Sequence, residues 1–392
     1  RPLPKSPAIP VSEPGLLIET PTARISLDPS TASVRSWTDP RTGREWVRPD
    51  SAWRLHQHLY VTGADRLPNR LVQYSTVARE PELQIHAATG GRLLECRRHP
   101  WGVVVRMAAT NLHHPRIETS ITLRNDSPVL EFETLVEKLP IRSKEAAYFV
   151  FPFDLTQPRF RLASQNGFID PQHDLLPGAG REWFCHQEWI AIAGESTGHG
   201  ILWSSPDAPL VTLGDIARGR WPKDFGSRPG TIFSYVMANY TPEGYKAEQG
   251  GVFRFRYRLQ PFDTFNPVEA HRRGAEALTP LELHEITRND KMGTPSGDWP
   301  ADQHSFLTVE PDHVSLVTWK AAESGTGTIL RLVETGGTED RITVRSPLWK
   351  EMHLEPCTAV EDPIRSATAP SIGGFGIGTF RLAPSRRHRG AK

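Results

Sequence analysis

An all-β fold, a large antiparallel β domain followed by a smaller β-sandwich, is predicted by three features of this sequence. The first is punctuation. The chain carries 35 Pro and 31 Gly in 392 residues, about a sixth of the whole, where roughly 12% is usual, so turns are frequent. The second is rhythm: short runs of β-branched and aromatic residues recur, each bounded by Asn, Asp, Pro or His. The third is the presence of 11 Trp against only 4 Met, a balance that suits aromatic-rich sheets better than a helical bundle.

Residues 1–15 are Pro-rich and read as an extended linker. Residues 17–28 read as two short strands with a turn, and residues 39–46 as a turn followed by a strand. Strands follow at 103–109, 117–123 and 129–136. In the last of these Glu131 and Glu133 point to one face and Phe132 to the other, as a half-buried strand requires. The rhythm continues at 148–153, 189–193, 200–204, 231–236 and 252–259. The final run alternates strictly, with Phe253, Phe255 and Tyr257 on one face and Arg254, Arg256 and Arg258 on the other. That Arg row is expected to be a solvated sheet face, because acidic residues balance it overall. One helix is expected at 267–277, ending near Thr279-Pro280. Gly293, Pro295, Gly297 and Pro300 then mark a linker over 286–303, which closes a first domain spanning 16–285. A second domain over 304–383 holds strands at 304–309, 314–320, 327–334, 340–344 and 376–382. Residues 384–392 form a basic tail.

Composition excludes several function classes. Hydrophobic residues make up 38% and charged residues 23%, enough for a sizeable core and too apolar for disorder throughout. Forty-six basic residues against 45 acidic ones leave a net charge of +1, which is not the balance of a nucleic-acid binder. No run of 18 apolar residues exists, so no membrane-spanning helix is expected. Cys96, Cys185 and Cys357 are far apart and odd in number, with neither zinc-ligand spacing nor a disulfide framework. Three unpaired thiols suit bacterial cytoplasm and periplasm alike. The chain begins without Met, in linker composition, as expected of a segment of a longer polypeptide or of a processed form, whose missing residues could include an active site. Asn125-Asp-Ser and Asn239-Tyr-Thr match the glycosylation triplet, but Pro follows each, and both are discounted. GxSxG, P-loop and HExxH motifs are absent.

Three stretches together resemble the β-rich C-terminal region of glycoside hydrolase family 38, the α-mannosidases and their bacterial relatives. The first runs from Val317-Thr-Trp-Lys through Ile329-Leu-Arg-Leu-Val-Glu-Thr-Gly-Gly, with Val333 where the family usually has an aromatic residue. The second is Gly376-Ile-Gly-Thr-Phe-Arg-Leu, similar to the family's closing strand. The third is Ile201-Leu-Trp-Ser-Ser-Pro-Asp with Ser234-Tyr-Val-Met-Ala-Asn-Tyr-Thr. The resemblance implies that the large domain is a galactose-mutarotase-like β-supersandwich. It also implies that the family's zinc ligands and nucleophilic Asp lie in an N-terminal catalytic domain that this chain lacks. On that reading the chain needs no cofactor of its own, zinc belongs to the missing domain, and the β domains pack against it and wall a sugar cleft.

His56 and His58 sit two apart on an expected strand and face the same way, but no third metal ligand is close in sequence, so a core or exposed pair is expected. His113 and His114 diverge and read as loop residues. The richest polar-aromatic cluster contains Asp170, His173, Asp174, Glu182, Trp183, His186, Glu188 and Trp189. Strand geometry would place His186 and Glu188 on one face as an acid/base pair, and two carboxylates roughly 5–10 Å apart can cleave a glycosidic bond. Trp183 or Trp189 could stack on a sugar ring. A well-packed loop with surface charges is the competing expectation. The resemblance adds Asp207, Asn239 and Tyr240 to the same cleft, although Asp207 beside Pro206 is also a turn former.

Three functions are therefore carried forward. The first is the β portion of an α-mannosidase-like hydrolase with a carbohydrate ligand. The second is a free-standing carbohydrate-binding or mutarotase-like protein. The third is a complete β-only polysaccharide lyase or hydrolase. Nucleic acid and membrane are not expected partners.

Overall fold

The computed structural model describes residues 16–63, 82–219, 222–240, 246–283, 304–347, 352–364 and 370–384. The linkers expected at 1–15 and 286–303, and the tail from 385 onward, lie outside them. The fold is all-β, and every strand pairing recorded between named strands is antiparallel. The chain divides into two compact units. One comprises Arg1–Ser164 with Phe168–Phe265, and the other Gln165–Gly167 with Asn266–Lys392.

The first unit is built on two large sheets. The six-stranded sheet runs in the order Phe184–Cys185, Leu210–Leu213, Thr231–Ala238, Glu145–Pro152, Gln57–Gly63 and Leu83–Ala87. The nine-stranded sheet holds, among others, Gly251–Phe262, Leu130–Lys138, His114–Arg124, Gly102–Asn111 and Thr89–His99 as consecutive neighbours. Strand Leu130–Lys138 shows the expected alternation: Leu130, Phe132, Thr134, Val136 and Lys138 are buried, and the residues between them are not. The predicted Arg row faces outward. Arg258 and Arg256 stand opposite Glu131 and Glu133 in register, and Glu118 pairs with Arg106 on the neighbouring strand and with Arg116 on its own. Such cross-strand pairs of opposite charge stabilise a wet sheet face modestly.

Strand Glu145–Pro152 behaves differently, because all its residues are buried. Its period of two splits them between two clusters. Ala147, Phe149 and Phe151 join the main core with Phe132, Trp203, Tyr257 and Leu259. Ala146, Tyr148 and Val150 join a second cluster with Leu59, Val61, Ile216 and Phe233. Burial on both faces makes it the central strand of its sheet.

A buried ion pair ties the two sheets at one end. Lys138 Nζ lies 2.6 Å from Glu145 Oε1, with side chains 1% and 3% exposed. Lys138 also donates to the carbonyls of Leu139 and Gln249 at 3.0 and 2.8 Å, and the Tyr60 hydroxyl donates to the other Glu145 oxygen. The expected histidine pair sits nearby. His56 is stacked between Phe132 and Phe149, at 4.3 and 4.6 Å between ring centroids, and His58 meets the His114 ring at 4.6 Å. All three histidines are buried. His114, expected in a loop, instead opens strand His114–Arg124. Among the described residues no group of three or more His, Cys, Asp or Glu could hold a metal ion, and the three cysteines are free.

In the second unit, the helix Pro267–Leu278 is set by Asn266, whose side chain accepts from the N–H groups of Val268 and Glu269, and by Pro267 at its first position. A four-stranded sheet follows, ordered Val314–Ala321, Thr328–Glu334, Ile377–Pro384 and Met352–Cys357. Val314, Leu330, Leu332, Phe380 and Leu382 form its core with Ile342 and Ile372. The Glu334 carboxylate is fully buried and accepts the N–H groups of Gly336, Gly337 and Phe375, which fixes the turn after its strand. Strand Val314–Ala321 ends the sheet order, and its pairing slips between Leu316 and Thr318, leaving Val317 as a bulge. Leu316, Val317 and Trp319 are 40%, 62% and 40% exposed along it.

Breaking the Lys138–Glu145 pair strands a buried charge, so Lys138→Ala should cost roughly 3–5 kcal/mol of stability. Urea denaturation near neutral pH measures this, and a loss below about 1 kcal/mol would mean that water reaches the Glu145 carboxylate.

Candidate functional site

The segment that carries the predicted cluster, residues 170–189, connects strand Gly167–Ile169 to strand Ile190–Gly194 and contains the two-residue strand Phe184–Cys185. Its members do not converge. Asp170 is buried and receives the Arg159 guanidinium and the Gln172 N–H, while its own N–H donates to Asp174 Oδ2 at 2.7 Å. It organises a turn. His173 is exposed on that turn. Trp183 is half-buried. Trp189 is fully buried among Phe168 and Phe265, so it offers no face to a sugar.

The expected acid/base pair is not arranged as a strand would arrange it. His186 follows the short strand, and the chain bends at Gln187 and Glu188. His186 is 1% exposed, donates from Nε2 to the Ala208 carbonyl at 3.1 Å, and packs edge-on to Trp203. Burial pushes its pKa down to about 4, only partly opposed by that hydrogen bond. The ring is therefore neutral at pH 7 and fills core space. Glu188 is half-buried.

The three residues drawn in by resemblance are structural as well. Asp207 takes a fork from Arg256, with Nε and Nη2 at 2.9 and 2.8 Å and the Arg256 N–H at 2.9 Å. Burial alone would raise its pKa, but the Arg256 hydrogen bonds and charge outweigh this and hold it below the usual value. Asn239 is buried; its Oδ1 accepts the Glu145 N–H, and its Nδ2 donates to the Ser143 and Ala247 carbonyls. It clamps the loop entering the central strand. Tyr240 packs beside the second cluster.

One member of the predicted segment does reach a cleft. Glu182 lines a recess of about 310 Å³ together with Leu213, Asp215, Ile216, Arg218, Asp224 and Arg228. The loop is held from below. Gly214 takes φ +81° where strand Leu210–Leu213 ends, and a Cβ there would lie 2.7 Å from that of Arg228. Thr212 Oγ1 donates to the Asp215 carbonyl at 2.6 Å, and Ile216 drops into the second cluster. Arg218 forks onto Asp215 at 3.1 and 3.2 Å, and its backbone N–H donates to Glu182. Arg228 donates to the carbonyls of Phe225, Leu213 and Arg181 at 2.9, 2.9 and 2.7 Å. Its guanidinium lies 4.1 Å from the Phe225 ring centroid. Burial pushes its pKa below the usual guanidinium value, and Glu182 and Asp215 push back.

Asp215, Arg218, Asp224 and Arg228 were not singled out from sequence. The available signal was a long connection between two strands, rich in Gly and Arg, and such loops are uncommon unless functional. The recess offers charged hydrogen-bonding groups of both signs over an apolar floor. It offers no nucleophile paired with a base.

Comparison with solved structures follows the same architecture. A protein of glycosyl hydrolase family 38 from Enterococcus faecalis matches 93% of this chain with a TM-score of 0.65 and 14% identity. An α-mannosidase from Enterococcus faecalis V583 matches with a TM-score of 0.64, again at 14% identity. The chain covers 43% and 42% of those two chains, less than half of their length. A galactose mutarotase-like protein from Lactobacillus casei matches 64% of this chain at a TM-score of 0.39 and 11% identity. No protein-family model and no curated protein matches.

Two outcomes follow from this geometry. His186 and His114 both have pKa values pushed down to about 4 by burial, against 6.5 when unfolded. On acidification the unfolded chain takes up protons first. Stability should therefore begin to fall as pH drops through about 6.5 and continue falling to about 4, by on the order of 3 kcal/mol per histidine. Denaturant midpoints across that range check this, and His186→Gln should flatten the slope. Gly214→Ala should cost more than about 1 kcal/mol, because its φ is left-handed and its Cβ meets Arg228; an unchanged melting point would mean that Arg228 gives way without cost.

Proposed function

We propose that this chain is the β portion of an α-mannosidase-like glycoside hydrolase, packing against a catalytic domain not included in it and walling part of that domain's sugar cleft. The observation that carries the reading is the fold match covering 93% of this chain but only 43% of the family 38 protein. A fold likeness at this identity is an analogy for function, so the chemistry of the residues must bear on it. It does, in one direction. A retaining glycosidase needs two carboxylates free to act as nucleophile and acid, while here Asp170 and Asp207 are spent on Arg159 and Arg256, and His186 is buried and neutral. These facts support a non-catalytic role over a complete β-only lyase or hydrolase. Zinc, in this reading, is held by the catalytic domain and supplies Lewis-acid chemistry there.

The test is hydrolysis of aryl glycosides by this chain alone, with and without zinc, aryl α-mannoside first. No turnover is expected under either condition. Turnover by the chain alone would overturn the reading.

A further inference from the structure

We propose that the recess lined by Glu182, Asp215, Arg218, Asp224 and Arg228 is a binding site for a single neutral, polyhydroxylated ring, a monosaccharide unit. The volume comes first. About 310 Å³ lies at the low end of small-molecule sites, roughly 300–1,000 Å³, which admits one ring and excludes a long chain.

The lining then selects among ligand classes. An anion is disfavoured. Glu182, Asp215 and Asp224 outnumber Arg218 and Arg228 along the walls. Arg218 is forked onto Asp215, and Arg228 is engaged by three backbone carbonyls. A metal cation is disfavoured too, since among the described residues no cluster of three potential ligands is arranged to hold one. A neutral polyol satisfies both constraints. Each hydroxyl can donate to a carboxylate oxygen and accept from the Ser227 hydroxyl in the lining, and neither exchange buries a net charge. The C–H face of the ring would find Leu213, Ile216, Phe225 and Pro229.

The site is also preorganised. Glu182 is 8% exposed and bonded to the Arg218 N–H, and the Arg218 fork fixes Asp215. Groups already held in place lose little freedom when a ligand arrives.

The choice of mannoside as first probe rests on the function proposed above, but the site does not. The experiment is a heteronuclear NMR titration of the purified chain with methyl α-D-mannopyranoside, and with the corresponding glucoside and galactoside. Saturable shifts are expected with at least one of them. Ser227 and Asp224 are exposed on the rim, so variants there spare the core. Ser227→Trp should fill the recess and abolish the shifts. Asp224→Asn should weaken binding by roughly tenfold, equivalent to one charge-assisted hydrogen bond; it decides the matter if the bulkier variant does not fold. The proposal is overturned if no neutral glycoside binds, if calcium or inorganic phosphate binds there in its place, or if the folded variants bind like the parent chain. Binding is read without turnover, so this failure and that of the hydrolysis test are separate results.

Discussion

The first unit depends on the two-sided burial of strand Glu145–Pro152. A strand with an apolar cluster on each face cannot slip by one residue without carrying Phe149 and Phe151 out of one core and Tyr148 and Val150 out of the other. Its position is held at one end by charge as well as by packing. Glu145 is clasped by Lys138 and Tyr60, and its N–H by Asn239. Apolar matching sets the face and the ion pair sets the end, so between them they fix the register.

The recess is a by-product of this arrangement. Ile216 and Phe233 belong to the second cluster, on the side of the central strand away from the main core. The segment after Leu213 is thus nailed down at Ile216. Arg218 and Arg228 brace the loop through Asp215 and three backbone carbonyls. Arg228 over Phe225 is an example, its flat cation on an aromatic face and its donors on backbone oxygens. Rigidity in the sheet passes into rigidity in the loop.

The fold was largely legible in the sequence because period-two alternation is a local signal. Phe253, Phe255 and Tyr257 opposite Arg254, Arg256 and Arg258 could be read directly, and so could the Pro267 helix, with its expected end at 277 against 278. The candidate site was far less legible. Asp170, His186, Asp207 and Asn239 look like chemistry in one dimension, because polar residues gather wherever a chain turns between sheets. In three dimensions each is tied to a partner, often remote in sequence: Asp170 to Arg159, 11 residues away, and Asn239 to Glu145, 94 residues away. No pattern in the sequence announces which carboxylate will find its arginine. Trp189 misled for a related reason: an aromatic residue at the end of a polar run, next to Glu188, reads as a surface platform, yet it is buried immediately before strand Ile190–Gly194.

Strand Val314–Ala321 shows how one surplus residue governs behaviour in solution. The sequence Leu316-Val317-Thr318-Trp319 has the composition of a seed for fibrous assembly, and it lies at the open border of its sheet. Fibrous assembly needs about six or seven residues in unbroken register. The bulge at Val317 cuts the border into runs of three and four paired residues, each too short to template a second strand. Lys320, held to Glu323 and Glu361 beside the longer run, adds a charge where such a strand would dock. Deleting Val317 to regularise the strand would join the two runs into one of seven paired residues along the border.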